Sequence, residues 1–227
     1  MATTAASIEP ASTVRDICGL ALTERDNLDA EMATMVRGIE KKYGFMPNFV
    51  RLFATDNQRL RAFMVPYMEL MRADSGLSPL DHELIALVSA HTNGCAYCCA
   101  HHGAALRGVC GDPVFAEYIG RNYKLADLSS RDRAMLDFAV MVLQEPEAIG
   151  DAERDVLRAE GFDDEAIWTI ASTAASRAIS QAGRLSSMVL PPAMLWTSAL
   201  RKAGGCGNVG ERRGLVRSSS TIQVADP

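Results

Sequence analysis

Cys95 and Cys98 stand two residues apart, and His102 follows Cys98 by about one helical turn. Cysteines at that spacing can close a disulfide across a single turn, and an imidazole one turn further on can take a thiol proton. On an ideal helix Cys98, Cys99 and His102 fall at about −60°, +40° and −20° from Cys95, a shared face, while His101 at about −120° points aside. Two physical arguments then pick different nucleophiles. The helix dipole favours a thiolate at Cys95, nearer the helix start. The histidine favours Cys98, because it offers a proton acceptor and, once protonated, a counter-charge. We favour Cys98 as the attacking thiol and Cys95 as its resolving partner.

Glu83 precedes Cys95 by eleven intervening residues and shares a helical face with Leu80, Leu87 and Ala90. A carboxylate among apolar side chains is either paired or shifted in its titration. If its helix and the cysteine helix fold back on each other at Asn93-Gly94, Glu83 stands level with His102 and Leu106. A Glu–His–Cys relay is then open. A half-exposed carboxylate on a helix flank is the other reading.

Zinc is the rival chemistry, since Cys95, Cys98, His101 and His102 all carry suitable donor atoms and His91 could join them. One helix readily supplies two converging ligands but rarely four, and no second CxxC or histidine pair follows. Redox chemistry is therefore preferred, with no metal and no cofactor assigned. Cys18, Cys110 and Cys206 read as small buried hydrophobes. Cys99 is either a spectator or an alternative disulfide partner. His82 reads as a first-turn surface residue.

The elements that must position these residues are all helical. Ser78-Pro79-Leu80-Asp81 is a helix start, with serine as cap, proline in the first turn and aspartate favouring the dipole. That helix runs to about His91. Thr92-Asn93-Gly94 breaks it, and Asn93 or Gly94 is expected to cap the next, Cys95 to about Arg107. Apolar residues at spacings of three and four predict further helices over Leu28–Tyr43, Pro47–Ala54, Gln58–Arg72, Pro113–Tyr123, Arg131–Gln144, Ala152–Glu160 and Asp164–Met188. Pro66 should kink its helix or lie in the first turns. No strand alternation is found, so the fold class is an all-α helical bundle with the CxxC at a helix N-terminus. Residues 1–25 read as a flexible arm, 26–200 as one helical domain, and 201–227, rich in Gly, Arg, Ser and Thr, as a disordered tail.

The chain has 227 residues, 48% hydrophobic and 22% charged, with a formal net charge of −5. These are values of an ordinary globular protein and speak against a general nucleic-acid binder. No apolar run of about 18 residues suggests a membrane span. The stretch MATTAASIEPAST lacks the basic and apolar regions of a secretory signal, so a cytoplasmic location is expected. There, six cysteines are not expected to form a structural disulfide framework, and a close CxxC is more often catalytic or metal-binding.

The pattern Glu83, Cys95-x-x-Cys98 and His102 resembles the redox motif of the alkylhydroperoxidase D-like family, within the carboxymuconolactone decarboxylase-like superfamily. The words LSPLDHELIALVSAHTNGCAYCCAHHGAAL, LADLSSRDRAMLDFAVMVLQEPEAI and LRAEGFDDEAI are similar to its peroxidase-related branch. The resemblance spans about residues 30–185. It implies a helical bundle that assembles as a homo-oligomer, and reduction of an organic hydroperoxide through a sulfenic acid and an intramolecular disulfide. In that scheme Cys98 attacks, Cys95 resolves, His102 relays the proton and Glu83 supports it; a thiol or disulfide-reductant partner restores the dithiol. Departures are Tyr97 between the cysteines, the extra thiol Cys99, and STAASRAI around Arg177 where the branch usually shows a Phe-Asn…Asn-Arg signature. The alternatives are a decarboxylase of a small lactone, which needs no CxxC, and a zinc-binding or redox-sensing module.

Overall fold

Ser78-Pro79-Leu80-Asp81 opens the helix around which the rest is packed. The Ser78 hydroxyl accepts from the Asp81 amide at 3.1 Å and the Asp81 carboxylate accepts from the Ser78 amide at 2.9 Å, a reciprocal cap that satisfies two otherwise unpaired donors. The Asp81 carboxylate also takes both arms of Arg131, at 2.9 and 3.0 Å. The helix then runs through an unbroken buried stretch from Leu84 to Ala90. A helix apolar on all sides belongs in the middle of a bundle.

The computed structural model describes residues 28–71 and 76–180, together with 19, 20 and 22. Among them are nine α-helices and no strand: α1 (Ala30–Tyr43), α2 (Asn48–Phe53), α3 (Asn57–Leu70), α4 (Pro79–Thr92), α5 (Ala96–Cys110), α6 (Pro113–Asn122), α7 (Ser130–Gln144), α8 (Asp151–Ala159) and α9 (Asp164–Ser180). The expected all-α bundle is therefore present. Helix α4 is the central element and packs against α5, α6, α7 and α9. Its Leu84, Ile85, Leu87 and Val88 share one core with Leu106, Ile119, Met135, Leu136, Leu157 and Ile170.

A second, smaller core joins α1, α2 and α3 through Met32, Val36, Val50, Leu60 and Met64. Between the two lies a third cluster, Cys95 and Tyr97 of the dithiol segment against Leu22, Phe49 and Leu52. The dithiol thus sits at the seam where the N-terminal helices meet the main bundle.

Several expectations are adjusted. Helix α3 continues through Pro66, which lies late in the helix and is exposed. His82 is buried, 1% exposed, because in the first turn of α4 its side faces the bundle, the exposed positions there being Ser78 and Pro79. The N-cap of α5 is Cys95, not Asn93 or Gly94. Asn93 instead ends α4, and Gly94 turns the chain at φ 66°, a left-handed conformation that glycine adopts without cost. The 1–25 arm other than residues 19, 20 and 22, the 201–227 tail, the 181–188 end of the last expected helix, Cys18 and Cys206 lie outside the described residues. No helix among the described residues is long and apolar enough to cross a membrane.

Candidate active site

Cys95 occupies the cap position with an extended backbone, φ −90° and ψ 93°, and its Sγ accepts from the Cys98 amide at 3.2 Å. A short side chain with an acceptor atom can do here what serine does elsewhere. The same geometry brings the Cα atoms of Cys95 and Cys98 to 5.3 Å, and the two sulfurs form a disulfide. The two ends differ in surroundings. Cys95 is 2% exposed, whereas Cys98 is half-buried and lines a cavity.

Helices α4 and α5 fold back on each other at Gly94, which sets Glu83 beside His102. The His102 Nδ1 lies 2.9 Å from Glu83 Oε2, both groups largely enclosed. Burial alone would raise the Glu83 carboxyl, but its hydrogen bond to His102 comes first among the opposing effects, followed by the charge either histidine would carry if protonated and by the Arg177 guanidinium, and together they hold it below the usual carboxylate range. An ionised carboxylate only accepts, so Nδ1–H donates to it and Nε2 is left as an acceptor. Burial also pushes His102 below its ordinary value despite the pull of Glu83, so the ring is neutral at neutral pH. Such a pair can serve as a carboxylate-oriented base.

His101, expected to point aside, is buried and lines the same cavity. With Cys95 serving as cap, the helical register argued from Cys95 does not apply, and tertiary packing encloses both histidines. The His101 ring meets His102 edge-on at 5.1 Å and packs on Tyr43, Phe49 and Tyr97. Burial, then the repulsion from His102 once that ring is protonated in acid, pushes it down to about 3, so it too is neutral at neutral pH.

The cavity measures about 40 Å³. Phe49 and Phe53 from α2 and Phe63 and Tyr67 from α3 form one wall, with Phe53 and Phe63 stacked at 3.9 Å. Tyr97, Cys98, His101 and His102 from α5 form the opposite wall, and Arg177 from α9 contributes a guanidinium. Sequence reasoning missed the aromatic wall, His101 and Arg177. A signal for the first existed, since six of the twelve Phe and Tyr residues fall between Tyr43 and Tyr67.

Of the other cysteines among the described residues, Cys99 and Cys110, neither lines the cavity. Cys99 is a free thiol packed against the main core, and burial pushes its titration up. Cys110 is half-buried at the end of α5, its sulfur bonded to the Asp112 backbone. Among the described residues no three His, Cys, Asp or Glu side chains are grouped to hold a metal ion, and His91 is exposed.

An all-α bundle carrying a CxxC disulfide before a buried carboxylate–histidine pair defines the class: a helical dithiol protein. The model of the Carboxymuconolactone decarboxylase family matches residues 58–110. The solved structure of a peroxidase-related protein from Silicibacter sp. TM1040 is 35% identical, the alignment covering 77% of this chain and 92% of that one with a TM-score of 0.72. A second, from Ralstonia eutropha JMP134, described as an alkylhydroperoxidase AhpD core and peroxidase-related, is 31% identical over 79% of this chain and 95% of that one, TM-score 0.74. The debrominase Bmp8 shares the fold at 19% identity, over 79% of this chain and 96% of that one, TM-score 0.66. No curated protein matches. The chain belongs to the alkylhydroperoxidase D-like and carboxymuconolactone decarboxylase-like superfamily, in its peroxidase-related branch. That superfamily includes enzymes.

Proposed function

We propose that this protein is a thiol-dependent peroxidase that reduces an organic hydroperoxide through a Cys95–Cys98 dithiol/disulfide cycle. The observation that carries the reading is the asymmetry of the pair. Cys98 lines the cavity with His102, whose Nδ1 is held by Glu83, while Cys95 is buried behind it.

In the reduced protein His102 Nε2 takes the Cys98 proton, directly or through one water. The Cys98 thiolate attacks the terminal peroxide oxygen; an S–O bond forms, the O–O bond breaks, and the alkoxide leaves with the proton held by His102. The Cys95 thiol then attacks the sulfenic sulfur, forming the S–S bond and releasing water. The Cys95–Cys98 disulfide is the bond in which that sequence would end, which supports the reading. A dithiol protein or two small thiols must supply two electrons and two protons to reopen it. The cavity, about 40 Å³, has room for a hydroperoxide group, with the organic body directed out along the aromatic wall. A cytoplasmic setting and a homo-oligomeric state complete the proposal.

The test uses the reduced full chain and cumene hydroperoxide. One equivalent of peroxide should be consumed per two thiols lost. Cys98→Ser should abolish the reaction, and Cys95→Ser should allow one turnover and leave a trappable sulfenic acid. Full activity in Cys98→Ser would overturn the reading. The family match favours one second reading, decarboxylation of a small lactone, which would survive replacement of both cysteines.

A further inference from the structure

Arg177 is 5% exposed on α9 and reaches the cavity that Cys98 lines. Its guanidinium carbon is 5.2 Å from the Tyr67 ring centroid, and one of its nitrogens lies 3.3 Å from Met71 Sδ. Among the described residues lining the cavity, Arg177 alone carries a permanent charge; the rest are aromatic, aliphatic, thiol or imidazole. We infer that Arg177 is the anion-stabilising residue of this site, holding the Cys98 thiolate and the oxyanion that departs when the peroxide bond breaks.

The physical case begins with the charge balance. Glu83 is ionised and buried next to the cavity, so on its own it would repel a second negative charge. His102 is neutral before it accepts the thiol proton, and His101 stays neutral throughout, so neither supplies a standing counter-charge. Arg177 does, and its field is felt at Glu83, His101 and His102 alike. Arg177 is itself buried, so beside this aromatic wall its charge is screened by solvent less than a surface charge would be, and it should favour the thiolate. The same charge favours an alkoxide leaving group, since that charge develops only as the O–O bond breaks. A purely mechanical role competes with this, because the contacts to Met71 and Tyr67 also tie α9 to the end of α3.

This assignment rests on the dithiol reading, and the experiment separates the two. In the reduced full chain the pH dependence of iodoacetamide alkylation at Cys98 is followed by mass spectrometry of peptides, for wild type, Arg177→Gln and Arg177→Lys. Removing the charge in Arg177→Gln should raise the Cys98 midpoint by about one to two pH units, and Arg177→Lys should restore most of the difference. Cumene hydroperoxide consumption at neutral pH should fall at least tenfold in Arg177→Gln and recover in Arg177→Lys. An unmoved midpoint in a folded Arg177→Gln protein overturns the assignment and leaves Arg177 as a tether. If Arg177→Gln does not fold, wild-type protein decides: sodium formate in place of sodium sulfate at equal ionic strength should raise the midpoint by competing for the guanidinium. No formate effect overturns it. A shifted midpoint without peroxide consumption upholds Arg177 as the counter-charge of the Cys98 thiolate, and defeats the peroxidase reading together with the leaving-oxyanion role.

Discussion

His102 and Glu83 differ in their expected weight, and the difference follows from which of them can reach sulfur. Replacing His102 by Gln removes the proton acceptor and should slow peroxide reduction by about 10²–10⁴-fold. Glu83→Gln leaves the ring in place and loosens only its orientation, so a smaller loss in single-turnover rate is expected. Equal losses in both variants would mean that Glu83 acts on the substrate directly. His101, pushed down to about 3, is a weak base that holds no extra proton at neutral pH, yet it should govern acid stability. Its folded titration, pushed down to about 3, lies below the ordinary 6.5, so the fold keeps it neutral while the unfolded chain binds a proton. Stability is then complete above pH 6.5 and declines as the pH falls toward 3, by about 2–3 kcal/mol at pH 4.5 from this residue. His102, shifted the same way, adds to the loss, and Glu83, shifted below its ordinary value, adds more at lower pH. Urea midpoints at pH 7.5 and 4.5 should show the decline in wild type and a shallower one in His101→Phe.

At the scale of elements, the site depends on how α4 starts and how the chain turns into α5. Ser78 contributes one cap bond, and Ser78→Ala should cost about 1 kcal/mol. Asp81 contributes the reciprocal cap and both bonds to Arg131, whose guanidinium also lies 4.4 Å from the Phe162 ring centroid. Asp81→Ala should therefore cost more, about 2–3 kcal/mol, and thermal or urea unfolding measures both. A smaller loss in Asp81→Ala than in Ser78→Ala would show that the pair with Arg131 contributes nothing net. Gly94 turns α5 back along α4, which is what sets residue 83 against residue 102.

For the whole molecule the expectation concerns assembly. The apolar stripe Met135–Leu143 spends its Met135, Leu136, Phe138 and Ala139 on the core of the single chain. The stripe Phe63–Met71 does so only in part: Met64 is buried in the second core with Phe63 and Tyr67 packed against it, while Val65 is 39% exposed and Met68 51%. Leu125 and Trp168 are more exposed still, at 70% and 67%. Apolar residues left outside on several helices are what a homo-oligomer would cover. Light scattering at micromolar concentration should give a multiple of the chain mass. A monomer would remove assembly from the proposal.

The sequence alone determined what depends on neighbours along the chain. The Ser78 cap, the Gly94 break, the helical periods and the reach of Cys95 to Cys98 are local, because a cap or a turn involves only a few consecutive residues. The Glu83–His102 pair was legible for a related reason: two helices joined by a tight turn have a predictable register. The tertiary structure decided the rest. Helical spacing gives a residue's angle about its own axis but not what the neighbouring helix turns toward it. Hence His82 and His101 are buried although their positions read as surface or aside. The aromatic wall from α2 and α3 and the guanidinium from α9 come from segments far from the dithiol in sequence. Only packing of the two cores against each other brings them to Cys98.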